Sequence, residues 1–244
     1  MRRGILLLTV IAATLVLASG MALAVTKIGG PGPDTLRGTN GADNFLGNGA
    51  NDVLYALGGN NDNLLGGEGK DWVLGGDERR AFGGDKNLAG GPGNDGLYGG
   101  LGSDNVLGGP GNDFLGGDHG SDTVVGHAGR DFVDSGVGSD RVAGGDGPDW
   151  LTVDDLDDTL KDIVSSGDGD DVIIVNNRPA SRDIVSSCGG GFDRVAADTK
   201  DLVAPDCERV RRGPAVHEEL WEMFEELGFV KGFHGLAPDP TAGG

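Results

Sequence analysis

The sequence predicts a repetitive all-β fold, and three observations lead to this prediction. Glycine accounts for 49 of the 244 residues, about a fifth, where an average protein has about 7%. From Gly29 onward the chain repeats with a period of nine residues, and an aspartate and an apolar residue return at fixed places in each unit. Aromatic residues make up only 5% of the chain, so a conventional core of packed rings is not expected.

The first 24 residues have the pattern of a signal peptide. Arg2 and Arg3 form a positive start, Ile5–Leu17 is apolar, and Ala22-Leu-Ala24 offers a cleavage site of the small-x-small type. An uncleaved membrane anchor is the alternative, although the apolar run is short for a membrane span. We expect residues 1–24 to be removed and the mature chain to be secreted and extracellular, without a membrane span.

The charge balance favours cations as partners. The chain has 39 Asp and Glu against 19 Lys and Arg, a net charge of −20, and removal of the two positive charges in residues 1–24 makes it more negative still. No nucleic acid partner is expected, because binding phosphate requires a basic surface. Calcium takes six to eight oxygen ligands, which carboxylates supply. A solvated acidic surface would explain the composition equally well, so the spacing of the carboxylates has to decide.

The repeat is clearest in Gly90-Gly-Pro-Gly-Asn-Asp-Gly-Leu-Tyr and in the units that start at Gly99 and Gly108. In this frame the residue at position six is Asp34, Asp43, Asp52, Asp62, Asp71, Asp95, Asp104, Asp113, Asp122, Asp131, Asp140 or Asp149. The residue at position eight is always apolar: Leu36, Phe45, Leu54, Leu64, Val73, Leu97, Val106, Leu115, Val124, Val133, Val142 and Leu151. The glycines permit the positive φ angles of tight turns, and position eight is expected to point inward.

A unit of nine residues with one apolar side chain cannot be stable alone, and its aspartates repel one another. A divalent cation would remove this repulsion and cross-link the turns. A glycine-rich β-solenoid without metal, and plain disorder, are the alternatives.

The pattern Gly-Gly-x-Gly-x-Asp-x-apolar-x resembles the calcium-binding nonapeptide of the RTX family, over roughly residues 29–152. The resemblance implies a right-handed parallel β-roll (a β-solenoid), in which six residues of each unit turn, three form a strand, and two units complete one coil. It also implies several Ca²⁺ ions, each between neighbouring turns on the same side of the roll, which are separated by two units of the repeat.

By this resemblance, each ion is held by the position-six carboxylates of both turns and by the backbone carbonyls of positions one and three. The implied metal ligands are the twelve aspartates named above, together with Gly90, Pro92, Gly99, Leu101, Gly108, Pro110, Gly117, His119, Gly126 and Ala128. The best match to the motif pairs Gly90, Pro92 and Asp95 with Gly108, Pro110 and Asp113. One row of aspartates runs Asp95, Asp113, Asp131, Asp149, and the other runs Asp104, Asp122, Asp140, with Asp158 as a candidate extension.

The sequence departs from the pattern in three places. Ser135 replaces the first glycine of its unit, glycines become fewer beyond Thr152, and the third departure is the segment 75–89. The segment 75–89 is too short to hold two full units, and Arg80 falls where an aspartate is expected. We interpret the segment as a defect that divides the roll into an N-terminal and a C-terminal metal block.

Residues 153–212 carry a different repeat. The sequence Asp-Ile-Val-Ser-Ser begins at Asp162 and again at Asp183, and an Asp-x-apolar strand pattern follows each copy, at Asp171 and Asp193. We expect further strands of the same solenoid, with longer turns that depend less on metal.

Cys188 and Cys207 are the only two cysteines. In an exported chain, such a pair forms a disulfide more often than it remains as two free thiols. We expect a bridge that stabilises the exposed end of the solenoid.

After Pro214, apolar residues recur at helical spacing up to Gly228. This predicts a short C-terminal helix that caps the roll, with a partner-binding helix as the alternative. The expected organisation is a signal peptide (1–24), a calcium β-roll (25–152), closing strands with the disulfide (153–212), and a helix with a flexible tail (213–244).

No catalytic constellation is apparent. His217-Glu-Glu-Leu-Trp lacks the second histidine of a zinc-protease helix, and no Gly-x-Ser-x-Gly elbow occurs. His119 and His127 fall within the repeat frame. We therefore expect an extracellular calcium-binding protein with a structural or interaction role rather than an enzyme. The alternative is an adhesion or matrix module that binds a protein or glycan partner, which the sequence does not identify, through the roll face or the C-terminal helix.

Overall fold

The computed structural model describes residues 24–59, 61–76, 86–153, 160–175 and 182–212. Regular structure in these residues consists entirely of β-strands, and none of it is a helix able to cross a membrane. The segments that predict a signal peptide and a C-terminal helix lie outside the described residues, apart from Ala24.

The strands are β1 (Thr26–Ile28), β2 (Thr35–Arg37), β3 (Asn44–Gly49), β4 (Val53–Tyr55), β5 (Asp62–Glu68), β6 (Trp72–Leu74), β7 (Lys86–Ala89), β8 (Gly96–Leu101), β9 (Asn105–Pro110), β10 (Phe114–Gly120), β11 (Thr123–Ala128), β12 (Phe132–Asp134), β13 (Val137–Gly138), β14 (Arg141–Asp146), β15 (Trp150–Thr152), β16 (Ile163–Asp168), β17 (Val172–Val175), β18 (Ile184–Ser187), β19 (Arg194–Ala197), β20 (Leu202–Val203) and β21 (Arg209–Arg212).

The strands form two parallel sheets. The ten-stranded sheet has the order β1-β3-β5-β7-β9-β11-β14-β16-β18-β20, and the eleven-stranded sheet has the order β2-β4-β6-β8-β10-β12-β15-β17-β19-β21. Successive strands alternate between the two sheets, except that the short β13 pairs with β10. The chain therefore winds from one sheet to the other and back, which confirms the predicted parallel β-solenoid.

Stacking of equivalent residues places position eight at the centre. Leu115 pairs with Leu97 on one side and with Val133 on the other, so each partner lies two units away along the chain. All twelve predicted position-eight residues are buried and belong to one continuous cluster, so the predicted inward direction is confirmed. Strand alternation turns their neighbours outward.

The segment 75–89 contributes one described strand, β7, to the stack. Strand β7 pairs with β5 and β9, and its Leu88 lies between Leu64 and Val106 in the core. Residues 75–85 therefore connect two successive strands, and both sheets run through this region without a break. The strands stay in register across the segment, because parallel register constrains the strands and leaves the length of the connections free. The division into two metal blocks stays a prediction. Arg80 lies outside the described residues.

Residues 160–212 continue both sheets through β16–β21, as predicted. Longer turns move paired residues such as Val142 and Val164 further apart along the chain than two units, while Val164 still points into the core. The predicted disulfide between Cys188 and Cys207 is confirmed, with 5.2 Å between the Cα atoms. It links the end of β18 to the segment before β21, in the last coil of the described residues.

Candidate metal centre

Each position-six aspartate lies at the start of a strand, either directly before it or, for Asp62, as its first residue. Parallel stacking therefore aligns these residues in two lines, one along each side of the solenoid. The first ladder precedes strands of the ten-stranded sheet and contains Asp43, Asp62, Lys86, Asp104, Asp122, Asp140, Asp162, Asp183 and Asp201. The second ladder precedes strands of the eleven-stranded sheet and contains Asp34, Asp52, Asp71, Asp95, Asp113, Asp131, Asp149, Asp171, Asp193 and Glu208.

One carboxylate oxygen of each aspartate holds successive coils together. The backbone N–H of Asp95 donates to Oδ1 of Asp113 at 2.8 Å, and the N–H of Asp113 donates to Oδ1 of Asp131 at 2.8 Å. The same bond joins aspartates along both ladders, with donor–acceptor distances of 2.7–3.2 Å. Oδ1 thus serves to hydrogen-bond neighbouring coils to each other. This role uses only one of the two carboxylate oxygens.

The other oxygen, Oδ2, faces the turn. It is buried and accepts no hydrogen bond within the described part of the chain at Asp52, Asp62, Asp71, Asp95, Asp113, Asp122, Asp131 and Asp149. A Cβ atom on Gly90 would lie 2.4 Å from Oδ2 of Asp95, and one on Gly108 would lie 2.4 Å from Oδ2 of Asp113. The first glycine of the unit is therefore needed because the carboxylate folds back against it. Burying a carboxylate oxygen without a hydrogen-bond partner costs folding free energy. A row of such oxygens therefore indicates a bound group that interacts with them.

The turns contribute backbone carbonyl oxygens next to these carboxylates. The N–H of Gly91 donates to the Gly108 carbonyl at 3.0 Å, and the N–H of Gly93 donates to the Pro110 carbonyl at 2.9 Å. A carbonyl oxygen has two lone pairs, so each still has capacity for a second interaction. The carbonyls of His119 and Ala128 accept equivalent bonds from Gly102 and Gly111, so the side chain at position three does not affect this role.

Burial raises the pKa of several ladder carboxyls above the ordinary range of an aspartate. The pKa is about 8 for Asp113, Asp122 and Asp149 and about 7 for Asp95. Desolvation is the largest cause, and charge on neighbouring aspartates raises the pKa further, whereas the hydrogen bond to Oδ1 lowers it. The ladders therefore favour the neutral form of these groups unless a cation compensates for their charge.

The structure brings all twelve predicted aspartates into the two ladders; eleven are buried and Asp34 is half-buried. Asp162 continues the first ladder after Asp140, by a 2.7 Å bond from the Asp140 N–H, so the extension predicted at Asp158 is wrong. Asp158 itself lies outside the described residues. The ladder positions beyond residue 152 do not follow the nine-residue frame, because the spacing of ladder neighbours varies there, from 22 residues between Asp140 and Asp162 to 15 between Asp193 and Glu208. The frame therefore missed them. They are Asp162, Asp171, Asp183, Asp193, Asp201 and Glu208.

The donor atoms available in the ladders are oxygens. No group of three or more His, Cys, Asp or Glu side chains suited to a metal occurs in the described part of the chain. A cation here has to draw on two carboxylates and on backbone carbonyls of the turns. Such a set suits a hard cation that accepts many oxygen ligands in flexible geometry, which describes calcium.

Comparison with protein families agrees with this donor set. The model of the RTX calcium-binding nonapeptide repeat matches four copies in the chain, at residues 28–62, 58–78, 81–115 and 116–151. The matches span half of the 244 residues. No curated protein matches the sequence.

Proposed function

Since the chain belongs to the family with the RTX calcium-binding nonapeptide repeat, we propose that it is an extracellular calcium-binding protein whose β-roll folds when calcium binds. Its role is structural or interactive and not enzymatic. The observation that carries this proposal is the row of buried Oδ2 atoms without hydrogen-bond partners in the described residues, each beside a turn with carbonyl oxygens.

Calcium fits these residues because it would supply what the ladders lack. Bound between two turns on the same side, the ion neutralises neighbouring carboxylates and gives each buried Oδ2 a partner. The best candidate is formed by Asp95 and Asp113 with the carbonyls of Gly90, Pro92, Gly108 and Pro110. Equivalent sites follow along both ladders wherever two consecutive members are aspartates. Binding energy then appears as folding energy, because the unfolded chain has no such arrangement of oxygens.

Two features support an extracellular location. The sequence of residues 1–24 predicts a secretory signal, and the disulfide between Cys188 and Cys207 is typical of proteins in oxidising compartments. Calcium modules outside the cell commonly bind with dissociation constants of about 10⁻⁴–10⁻³ M. A protein of this kind would stay unfolded where calcium is scarce and fold after export.

An adhesion or matrix function is the second candidate, and one surface favours it. On the outer face of the ten-stranded sheet, Ile28, Leu65 and Leu107 are exposed. Leu65 and Leu107 flank a row of asparagines in which Asn63 donates to Asn44 and Asn87 donates to Asn63, both at 3.0 Å. Contiguous apolar surface of this kind is typical of interaction sites. Leu65→Lys should then abolish binding to a protein or glycan array while calcium-dependent folding is unchanged.

The proposal is tested by titrating the mature chain with calcium in a chelator-treated buffer. We expect far-ultraviolet circular dichroism to change from a disordered to a β spectrum with a midpoint of about 10⁻⁴–10⁻³ M, and calorimetry to detect several ions. Magnesium should be a poor substitute, because it requires a tighter octahedron and loses water reluctantly. A chain that is equally folded in chelator, or that binds no calcium, contradicts the proposal.

A further inference from the structure

The first ladder contains a lysine between two aspartates. Lys86 pairs with Asp62 in the sheet on one side, and its own N–H donates to Oδ1 of Asp104 at 2.8 Å on the other. Its backbone therefore makes the same bond as an aspartate at this position. The residue is 1% exposed, although lysine is almost never fully buried unless it is paired.

The ammonium group of Lys86 has partners in the next turn. Nζ donates to the carbonyl oxygen of Leu101 at 2.8 Å and lies 3.7 Å from Oδ1 of Asp104. The side chain runs along the start of its own turn: a Cβ atom on Gly75 would lie 2.8 Å from Cδ of Lys86, and one on Gly76 would lie 3.4 Å from Nζ. The charge is thus enclosed between two turns on the same side of the roll.

These partners are of the same kind as those assigned to calcium elsewhere in the ladders. Leu101 stands at position three of its unit and Asp104 at position six, and the turn at Gly75 starts the neighbouring unit on that side. Position-three carbonyls and position-six carboxylates are the donors expected for an ion. A lysine ammonium is a compact positive charge with three N–H groups. It can therefore donate hydrogen bonds directly to the carbonyl and carboxylate oxygens that would otherwise bind an ion.

We propose that the ammonium of Lys86 takes the place of a calcium ion in the first ladder, so that this one position is neutralised by the protein itself. The inference rests on the proposed calcium binding. A lysine at this position contributes no carboxylate and holds a positive charge where the ion would otherwise be held, so no calcium binds there. At the same height, the second ladder continues from Asp71 to Asp95 through a 2.7 Å bond.

If Lys86 replaces an ion, the strands next to it should become ordered at lower calcium concentrations than strands whose ladder positions need an ion. The strands next to Lys86 are β5, β7 and β9, and their stacking needs no ion at this position of the first ladder. We expect these strands to gain hydrogen-exchange protection at lower calcium concentrations than β14 and β16, where the ladder residues are Asp140 and Asp162.

Two substitutions of Lys86 test the proposal. Lys86→Asp places an aspartate between Asp62 and Asp104, so it should bind two calcium ions more than the wild-type chain by calorimetry. Lys86→Met keeps the length of the side chain without the charge; it should bind the wild-type number of ions but lose the early protection of β7 and β9. Arg141→Asp makes the same change in net charge as Lys86→Asp at an exposed position and should alter neither result.

An unchanged ion count in Lys86→Asp, or early protection that persists in Lys86→Met, would overturn the inference. If Lys86→Asp does not fold even in saturating calcium, the exchange result for Lys86→Met decides. A wild-type chain that binds no calcium refutes the proposed function, whereas a wild-type chain that binds several ions and an aspartate variant that gains none refute only the role of Lys86.

Discussion

Replacing Asp113 by asparagine and by alanine separates the two roles of its carboxylate. Oδ1 accepts the N–H of Asp95 and belongs to the ladder, whereas Oδ2 is buried without a hydrogen bond in the described part of the chain. Asparagine keeps an oxygen that can accept the Asp95 N–H and loses the second carboxylate oxygen. Alanine loses both. Asp113 also lies between Asp95 and Asp131, so each change removes a ligand from two proposed calcium sites.

The expected losses can be worked out from these contacts. An ion contributes about 2.7 kcal/mol to the free energy of unfolding when free calcium is about 100-fold above its dissociation constant, so the loss of two ions costs about 5 kcal/mol in either variant. Asp113→Ala also leaves the buried N–H of Asp95 without an acceptor, which costs about 1–3 kcal/mol more. The alanine variant should therefore be less stable than the asparagine variant by about 1–3 kcal/mol.

The assay combines ion stoichiometry by calorimetry with urea denaturation at a fixed, saturating calcium concentration. Asp198→Ala is the control: Asp198 also has a buried Oδ2 without a hydrogen bond in the described residues, but it lies outside both ladders, and its Oδ1 accepts the N–H of Lys200. We expect this control to keep every ion and to lose only the free energy of a local hydrogen bond. Full ion binding by Asp113→Asn would refute the role of the carboxylates as ligands, and equal stability of the two Asp113 variants would refute the ladder hydrogen bond.

Three further predictions concern the turns, the charges and the end of the solenoid. In chelator, the raised pKa of Asp113, Asp122 and Asp149, about 8 in each, stabilises the fold at low pH; this stabilisation is lost as pH rises from about 4 through 8, which circular dichroism should follow. Gly109→Ala should lower the stability in urea by at least about 1–2 kcal/mol, because Gly109 has a φ of +117° and a Cβ would lie 2.3 Å from the Gly91 carbonyl, whereas Gly49→Ala meets nothing within 4 Å and should not. Reduction of the bridge between Cys188 and Cys207 should cost about 3 kcal/mol and increase hydrogen exchange in β18–β21 first; uniform loss of protection would contradict a local role.

The nine-residue period was enough to predict the core and most of the ladders. Because stacking in a parallel sheet repeats the environment of each position, an apolar residue such as Leu97 or Leu115 at position eight has to point inward in every coil. The same argument places Asp95 and Asp113 on one side of the roll. Periodicity determines these features without any knowledge of distant contacts.

The nine-residue period did not predict the ladder residues at places where the connections between strands change length. Asp62 and Lys86 are further apart along the chain than two units, yet they pair as neighbours in the sheet, because the length of chain between β6 and β7 is greater than in a nine-residue unit. A frame that looks for aspartates cannot recognise a lysine as the next member of the ladder. The signal that could have identified it is Leu88, two positions later, because position eight keeps its apolar residue even where position six has changed.

The two oxygens of a ladder aspartate explain why turn length can vary while folding and metal binding remain coupled. Oδ1 bonds to the neighbouring coil whatever the length of the connection, as shown by Asp140 and Asp162, which a longer turn separates and a 2.7 Å bond still joins. The same bond fixes the carboxylate in a buried position, where its charge is costly without a cation. A coil can therefore add residues to its turn without losing its place in the ladder, but it cannot keep the buried aspartate charged without a positive partner. Calcium is the proposed partner along both ladders, and at one position Lys86 provides the positive charge within the chain itself.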